Sequence, residues 1–354
     1  MEKDNKNRKQ VSVSLLKKRW RKFKTLKRGY YSFLIILFFY IISFILPLFI
    51  GRNALVVKYN DTFYFPVFSY HAASEFNQNI QGEANYRLLK KQFKDEGGEN
   101  WVLMPLYPYG PNENLLDETE GSPPHSPTLL HILGTDTSCR DVFARLAYGF
   151  NVSISFALSV TFFAFLIGVI IGALQGFFGG VVDIIIHRFI EIWATLPFLY
   201  VIIIVSSLLV PNFFLLCIVM TLFSWTGITF YIRGEFYREK SKDYVSAAVA
   251  MGAPNRRLIL SHILPNSLTP IISFAPFAIV GNIVSLVSLD FLGFGLPPPT
   301  PSWGQLIQQG MTNIEYWWLV AFPLVAQFLT LIAIVFIGEA VREAFDPKVY
   351  SRLR

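Results

Sequence analysis

Few side chains in this sequence are of a type and spacing that could do covalent chemistry. Nucleotide phosphates are commonly cradled by a Gly-x-x-x-x-Gly-Lys-Ser/Thr loop, and the chain has no Gly-Lys pair at all. Its five histidines and two cysteines form no cluster. Cys139 falls in a polar stretch and Cys217 in an apolar one, which argues against a disulfide and leaves no metal-ligand spacing. His187 stands among non-ligands, as an interfacial residue does. No Ser/His/Asp or Cys/His arrangement suggests hydrolysis. The acids from Asp61 to Asp141 are spread through a polar stretch as a solvated surface carries them. Asp290 is different, being the only acid between Asp243 and Glu315 and closing an apolar run. A carboxylate costs about 2.5–3.5 kcal/mol at the centre of a membrane helix and less near an interface. Something must therefore satisfy it, and the turn Gly293-Phe294-Gly295 offers backbone N–H groups close by.

The one long polar-flanked segment in the apolar half runs from Asp243 to Asn266, and its grammar is helix, break, helix. Asp243 can cap a first, alanine-rich helix. Gly252 supplies a stop and Pro254 pushes Ala253 out of the α region. A second helix is expected through Arg256 and Arg257 as far as Pro265. Ser246, Ala247, Ala248, Ala250 and Gly252 are nearly all small, which would let another backbone approach closely. Alanine is also simply the best helix former, so composition by itself leaves both readings open.

The elements that position these residues are membrane spans. Hydrophobic residues make up 53% of the chain, charged residues 16%, and the mean hydropathy is +0.43, far from a soluble domain of this length. The net charge of +7 is concentrated before the first span, from Lys3 to Arg28. That is a positive-inside signal and a surface for anionic lipid, not a nucleic-acid footprint. Residues 30–50 form an uncharged first span, longer than a signal-peptide core. Residues 51–148, rich in acids and prolines, read as an external insert that begins with two short strands around Asn60-Asp61. Asp141 and Arg145, four apart, can pair on a helix that opens the next span. Leu146 to Val182 is uncharged, and Gly168, Gly172 and Gly176 put a smooth packing strip on one helix face. Pro211-Asn212 divides Ile192–Ile232 into two spans, Leu264–Leu289 is a fifth and Trp317–Gly338 a sixth, with Trp317 and Trp318 at an aromatic belt.

The two alanines, Gly252 four residues after Ala248, and the closing His262-Ile-Leu-Pro-Asn266 resemble the cytoplasmic coupling loop of ABC importer permeases of the peptide/nickel family. Ser246 stands where that family usually has Glu, an acid that near the third helical position would complete a capping box. Gly134-Thr-Asp136, Arg140-Asp141, Arg145 and Gly149 resemble a second family segment, with Cys139 and Ala144 in place of its Gly and Ser. Leu292-Gly-Phe-Gly, Pro301-Ser-Trp-Gly304 and the ending Gly338-Glu-Ala-Val-Arg-Glu-Ala-Phe-Asp-Pro347 resemble two more. The branch they are most similar to is the oligopeptide/microcin C importers.

The resemblance implies an all-α polytopic membrane protein with six transmembrane helices and an external insert after the first. Its divisions are a basic cytoplasmic N-terminus 1–29, the first helix 30–50, the insert 51–148, a permease core 149–340 with the coupling loop at 233–266, and a cytoplasmic C-terminus 341–354. It implies a bacterial cytoplasmic-membrane subunit that imports peptides and is not itself an enzyme. ATP and Mg would be held by two partner ATPase subunits, and no cofactor by this chain. A second homologous permease and an external solute-binding protein complete the expected assembly, with lipid but no nucleic acid. The ATPase-coupling residues on this reading are Tyr244, Ser246, Ala247, Ala248, Gly252, His262, Leu264 and Pro265. A bulky side chain at Ala248 or Gly252 should then remove ATPase association while leaving insertion intact. Asp290 is a candidate for the substrate pathway, at an outer gate where it would meet the cationic end of a peptide. The alternatives are a dipeptide or nickel importer subunit and, in another class, a secondary transporter driven by an ion gradient. The last would keep ionisable groups mid-membrane, and the spans here are uncharged between their ends.

Overall fold

A computed structural model describes residues 15–119 and 121–345. The basic residues before Leu15 and the closing Asp346-Pro347 lie outside the described residues. Helix α1 (Leu15–Thr25) meets α2 (Lys27–Ser43) at 99°. The first span was expected to continue helical to Ile50, but α2 stops at Ser43 and a single 3-10 turn, Leu46–Leu48, follows. Pro47 explains the stop, because it lacks the N–H that would bond Ser43 and its ring crowds that carbonyl.

The insert is a small α+β unit. Strands β1 (Val56–Tyr59) and β2 (Thr62–Tyr64) pair antiparallel with Tyr59 opposite Thr62, so the turn is the expected Asn60-Asp61. Both turn residues have positive φ, 49° and 59°, which Asn and Asp tolerate in a two-residue hairpin loop. Helix α3 (Tyr86–Glu96) packs Tyr86, Leu89 and Phe93 over Val57 and Val102, the latter on β3 (Trp101–Leu103), which joins the other edge of β1. Apart from a 3-10 turn at Ala73–Phe76 the remainder is irregular, and its later part is held by Arg87, whose Nη2 donates to Glu113 at 2.6 Å and Glu118 at 2.7 Å. Burial works against the Arg87 charge, but the two carboxylates outweigh it and hold the guanidinium above its ordinary value.

Helix α4 (Val142–Phe178) runs 37 residues. At about 1.5 Å per residue it is far longer than a bilayer core of roughly 30 Å, so it projects beyond the membrane. Then come α5 (Gly180–Ala194), α6 (Phe198–Leu208), α7 (Phe213–Lys240), the short α8 (Asp243–Ala250), α9 (Asn255–Arg257) and α10 (Leu264–Ser267). Helices α11 (Thr269–Phe291), α12 (Trp303–Gly310) and α13 (Trp317–Phe345) follow. Among the described residues four helices are long and apolar enough to cross a membrane, α4, α7, α11 and α13. The count reaches six when the bent pairs α1–α2 and α5–α6 are each taken as one span. The expected third span was to begin at Ile192, but helix already starts at Gly180, and the span is broken by 70° ahead of α6, whose N-cap is Pro197. Asp183, His187, Arg188 and Glu191 therefore stand on a helix rather than in a connecting loop.

The glycine strip is a close helix contact. A Cβ on Gly168, Gly172 or Gly176 would lie 2.3 Å from Ile228, 2.6 Å from the Thr229 carbonyl and 2.4 Å from Phe236, all on α7. Helices α4 and α7 thus approach backbone to backbone, which small residues permit. One end of this bundle carries the insert and α12, and the other carries α1, α8 and the end of α13.

Candidate functional site

The helix-break-helix segment lies at the end opposite the insert. Helix α8 begins after Lys242, whose extended backbone makes it the N-cap, so Asp243 is the first helical residue and caps nothing. The third helical position is then Val245. A Glu at 246 would be one position too far on for the capping box expected from the sequence. The C-terminal stop is as expected. Gly252 has φ +81°, and the Ala253 N–H reaches back to the Ala248 carbonyl at 3.0 Å. A Cβ on Gly252 would meet nothing within 4 Å, so its glycine is needed for backbone conformation rather than for space.

The break is followed by one continuous helical path whose middle, Leu258–Ile263, is a π turn. Pro265 was expected to end it, yet the path runs through Pro265 to Ser267. In the π turn Leu264 N–H bonds Ile259, and this wider turn relieves the crowding a proline imposes on the preceding turn. Leu264 packs on the local core, and the His262 carbonyl accepts from Asn266 at 2.9 Å and from Tyr244 at 3.3 Å.

Helix α8 has two unlike faces. Val245 and Ala248, three apart, are 3% and 2% exposed and sit in this chain's own core with Phe177, Phe236 and Leu258. The expectation that Ala248 meets a partner's groove is thereby corrected, because its small side chain seats α8 on α4 and α7. Tyr244, Ser246, Ala247, Val249 and Met251 face outward, Met251 at 81% exposure. A cleft of ≈ 450 Å³ opens beside this face, lined in part by Phe178, Lys240, Ser246 and Val249. Lys240, Arg256 and Arg257 are exposed here without a carboxylate partner among the described residues.

Glu239 holds the assembly, and nothing in the sequence singled it out. It is buried at the end of α7, accepting from Tyr244 Oη at 2.9 Å and Lys242 Nζ at 2.7 Å. Burial, and then the bond to Glu239, pushes the Tyr244 phenol up, so it serves as a neutral donor. Asp183 was also missed. It receives Arg233 Nε at 2.6 Å, Tyr237 Oη at 2.8 Å and Gln175 Nε2 at 3.1 Å, tying α5 to α4 and α7. Its partners are 50 residues and more along the chain, or on another helix, so no local spacing reveals them.

At the insert end, Asp290 is 3% exposed. Its Oδ1 accepts from Leu296 N–H at 2.7 Å and its Oδ2 from Ser302 Oγ at 2.5 Å. These, and not the Gly293-Phe294-Gly295 amides, are its partners. Both carboxylate oxygens are engaged by the chain itself, which pins the loop between α11 and α12. Gly304 closes over it, since a Cβ there would lie 2.2 Å from the Val287 carbonyl. Trp303 Nε1 donates to Leu146 at 3.0 Å across Gly149. The expected Asp141–Arg145 pair does not form. Asp141 caps α4 through the Ala144 N–H at 2.8 Å and accepts from Tyr107 at 2.6 Å, while Arg145 lies 3.5 Å from Asp136. An N-cap residue points its side chain back at the first turn, away from the position four residues on. Cys139 has φ +56°, which gives the family's Gly at that position a conformational reason.

Among the described residues neither end gathers nucleophile, base and oxyanion donors. One end is an exposed helix face seated on a close-packed helix pair, the other a locked junction between insert and bundle. Residues 147–351 match the family described as the binding-protein-dependent transport system inner membrane component. The chain belongs to that family. It is 40% identical over 333 residues to the inner membrane ABC transporter permease protein YejE of Escherichia coli (strain K12), spanning 93% of this chain and 96% of that one. It is 37% identical over 356 residues to the peptidoglycan transport system permease protein YejE of Agrobacterium fabrum, spanning 94% and 93%. A shorter match, 37% over 219 residues, covers 62% of this chain and 70% of the oligopeptide transport system permease protein OppC of Haemophilus influenzae. The protein is a membrane-spanning permease subunit of an ABC importer, not an enzyme, and it works with ATPase and solute-binding partners. Membership of this family sets aside the secondary-transporter alternative.

Proposed function

We propose that this permease imports peptides across the bacterial cytoplasmic membrane, with both termini and α8 in the cytoplasm and the insert outside. The cargo class rests on the relatives, named for peptidoglycan, oligopeptide and dipeptide transport, all compounds with peptide bonds. The assembly contains a second homologous permease, two ATP-binding subunits that hold ATP and Mg, and an external solute-binding protein. Coupling runs through residues 243–266. The observation that carries this is the division of α8 into a face seated in the chain's own core and an opposite face showing Val249 and Met251. A helix fixed this way transmits movement of a docked partner directly to α4 and α7. Of the expected coupling residues, Tyr244, Ser246 and Ala247 are on the docking face. Ala248, Gly252, His262, Leu264 and Pro265 shape and anchor it.

The orientation is tested with accessibility tags at the exposed Asn77 in the insert and Asn255 after the break. Asn77 should label from outside and Asn255 from inside. Labelling of both from one side would end the six-span arrangement. Uptake of labelled peptides by vesicles holding the full complex tests the cargo, and ATP-driven uptake of free nickel but not peptide would overturn it.

A further inference from the structure

The corner between α1 and α2 carries charged groups that transport coupling does not use. Because α1 meets α2 at 99°, a helix α2 that crosses the bilayer leaves α1 lying along the membrane surface. Helix α1 has bases at 17, 18, 19, 21, 22 and 24 and no acid. Its rotation is fixed by the end of α13. Phe23 is buried beside Ala340 and Ala344, Lys22 pairs with Glu343 at 3.0 Å, and the Arg19 guanidinium stands 4.7 Å over the Phe345 ring.

Lys27 and Arg28, at the corner itself, are exposed and have no acid partner among the described residues. A cleft of ≈ 390 Å³ is lined by these two bases and by Glu339 on α13, and also by Thr25, Phe336 and Glu343. Glu339 is exposed and has neither ion pair nor hydrogen bond among the described residues, whereas Glu343 is engaged by Lys22. The corner thus offers two free bases facing one free acid at the level of the membrane surface. Beyond it, Tyr31, Leu34 and Ile35 of α2 are exposed apolar side chains, 57%, 40% and 53%, along which acyl chains can lie. A purely anionic headgroup would bring its charge against Glu339. A headgroup with a phosphate and a primary ammonium a few bonds apart satisfies all three residues. Arg and Lys donate charge-assisted hydrogen bonds to phosphate, and an ammonium N–H donates to a carboxylate. A trimethylammonium group has no N–H to donate.

We propose that this corner is a binding site for the headgroup of an aminophospholipid, with the phosphate at Lys27 and Arg28 and the ammonium at Glu339. The site depends on the chain spanning a membrane and not on what it carries, so its failure would leave the transport reading untouched. The test is native mass spectrometry of the purified transporter complex. It is equilibrated with equal amounts of phosphatidylethanolamine, phosphatidylcholine and phosphatidylglycerol of the same acyl composition. Phosphatidylethanolamine should be retained on the order of tenfold over phosphatidylcholine, as one charge-assisted hydrogen bond predicts. Glu339→Gln should abolish that preference, and Lys27→Gln with Arg28→Gln should lower retention of all three lipids. Glu343→Gln, which removes the other carboxylate lining the cleft together with its Lys22 pair, should keep the preference and so assigns the ammonium to Glu339. Equal retention of ethanolamine and choline lipids by the wild type would overturn the proposal. So would a wild-type preference for phosphatidylglycerol, or a preference that survives Glu339→Gln. Displacement of the lipid by soluble phosphoethanolamine at matched concentration would assign the site to the free molecule and overturn the lipid assignment.

Discussion

Met251→Ala should weaken the permease's hold on its ATPase subunits while leaving the permease itself unchanged. Met251 is 81% exposed just past α8 and packs against none of the chain's own core clusters. Burying a methionine side chain completely is worth about 1.5–3 kcal/mol, so truncating one with this much surface to lose removes about 1–2 kcal/mol of docking energy. That corresponds to an ATPase dissociation constant raised roughly 5- to 30-fold. The assay is equilibrium binding of the purified ATPase to the permease pair in nanodiscs, with thermal unfolding of the permease as the control. Ala248→Leu provides the contrast. Ala248 is 2% exposed against Phe236 and Leu258, so added bulk there overpacks the core at a cost of about 1–3 kcal/mol. Its binding loss should come with a lowered unfolding temperature. An unchanged dissociation constant in Met251→Ala would refute docking through this face.

Gly172→Leu places a side chain where even a Cβ meets the Thr229 carbonyl at 2.6 Å. It should sharply reduce the folded fraction in size-exclusion chromatography, while Gly227→Ala, with nothing within 4 Å, should be near neutral. Tyr244→Phe removes a donor from the buried Glu239 and should cost about 1–3 kcal/mol of stability, read as a lower unfolding temperature, with Tyr244→Gln less well tolerated than Phe in packing. Asp290→Asn retains an acceptor for the Leu296 N–H but weakens the bond from Ser302. It should lower the unfolding temperature and reduce uptake only in proportion to folded protein. Lost uptake at unchanged stability would instead return Asp290 to the substrate pathway.

The membrane class, the two-strand turn at Asn60-Asp61, the glycine strip and the stop at Gly252 were all legible in the sequence. Each rests on a local rule: run length, turn chemistry, a four-residue spacing, or a positive φ that glycine adopts freely. Motif resemblance likewise placed the chain in its family before any fold was known. Wherever a role depends on what lies across the bundle, local spacing misled or said nothing. Asp141 and Arg145 have helical pairing distance, but the N-cap geometry turned Asp141 toward Tyr107 and left Arg145 to Asp136. Ala248 and Ala247 are identical in sequence terms, yet three residues' separation from Val245 puts only Ala248 into the core of α4 and α7. Asp183 is a buried knot that no local spacing shows, because only tertiary packing brings Arg233 to it, and Glu239 is buried where the turn into α8 brings Tyr244 back over it. Asp290 drew notice as an isolated acid, and only the fold brings a hydroxyl twelve residues on back over its carboxylate.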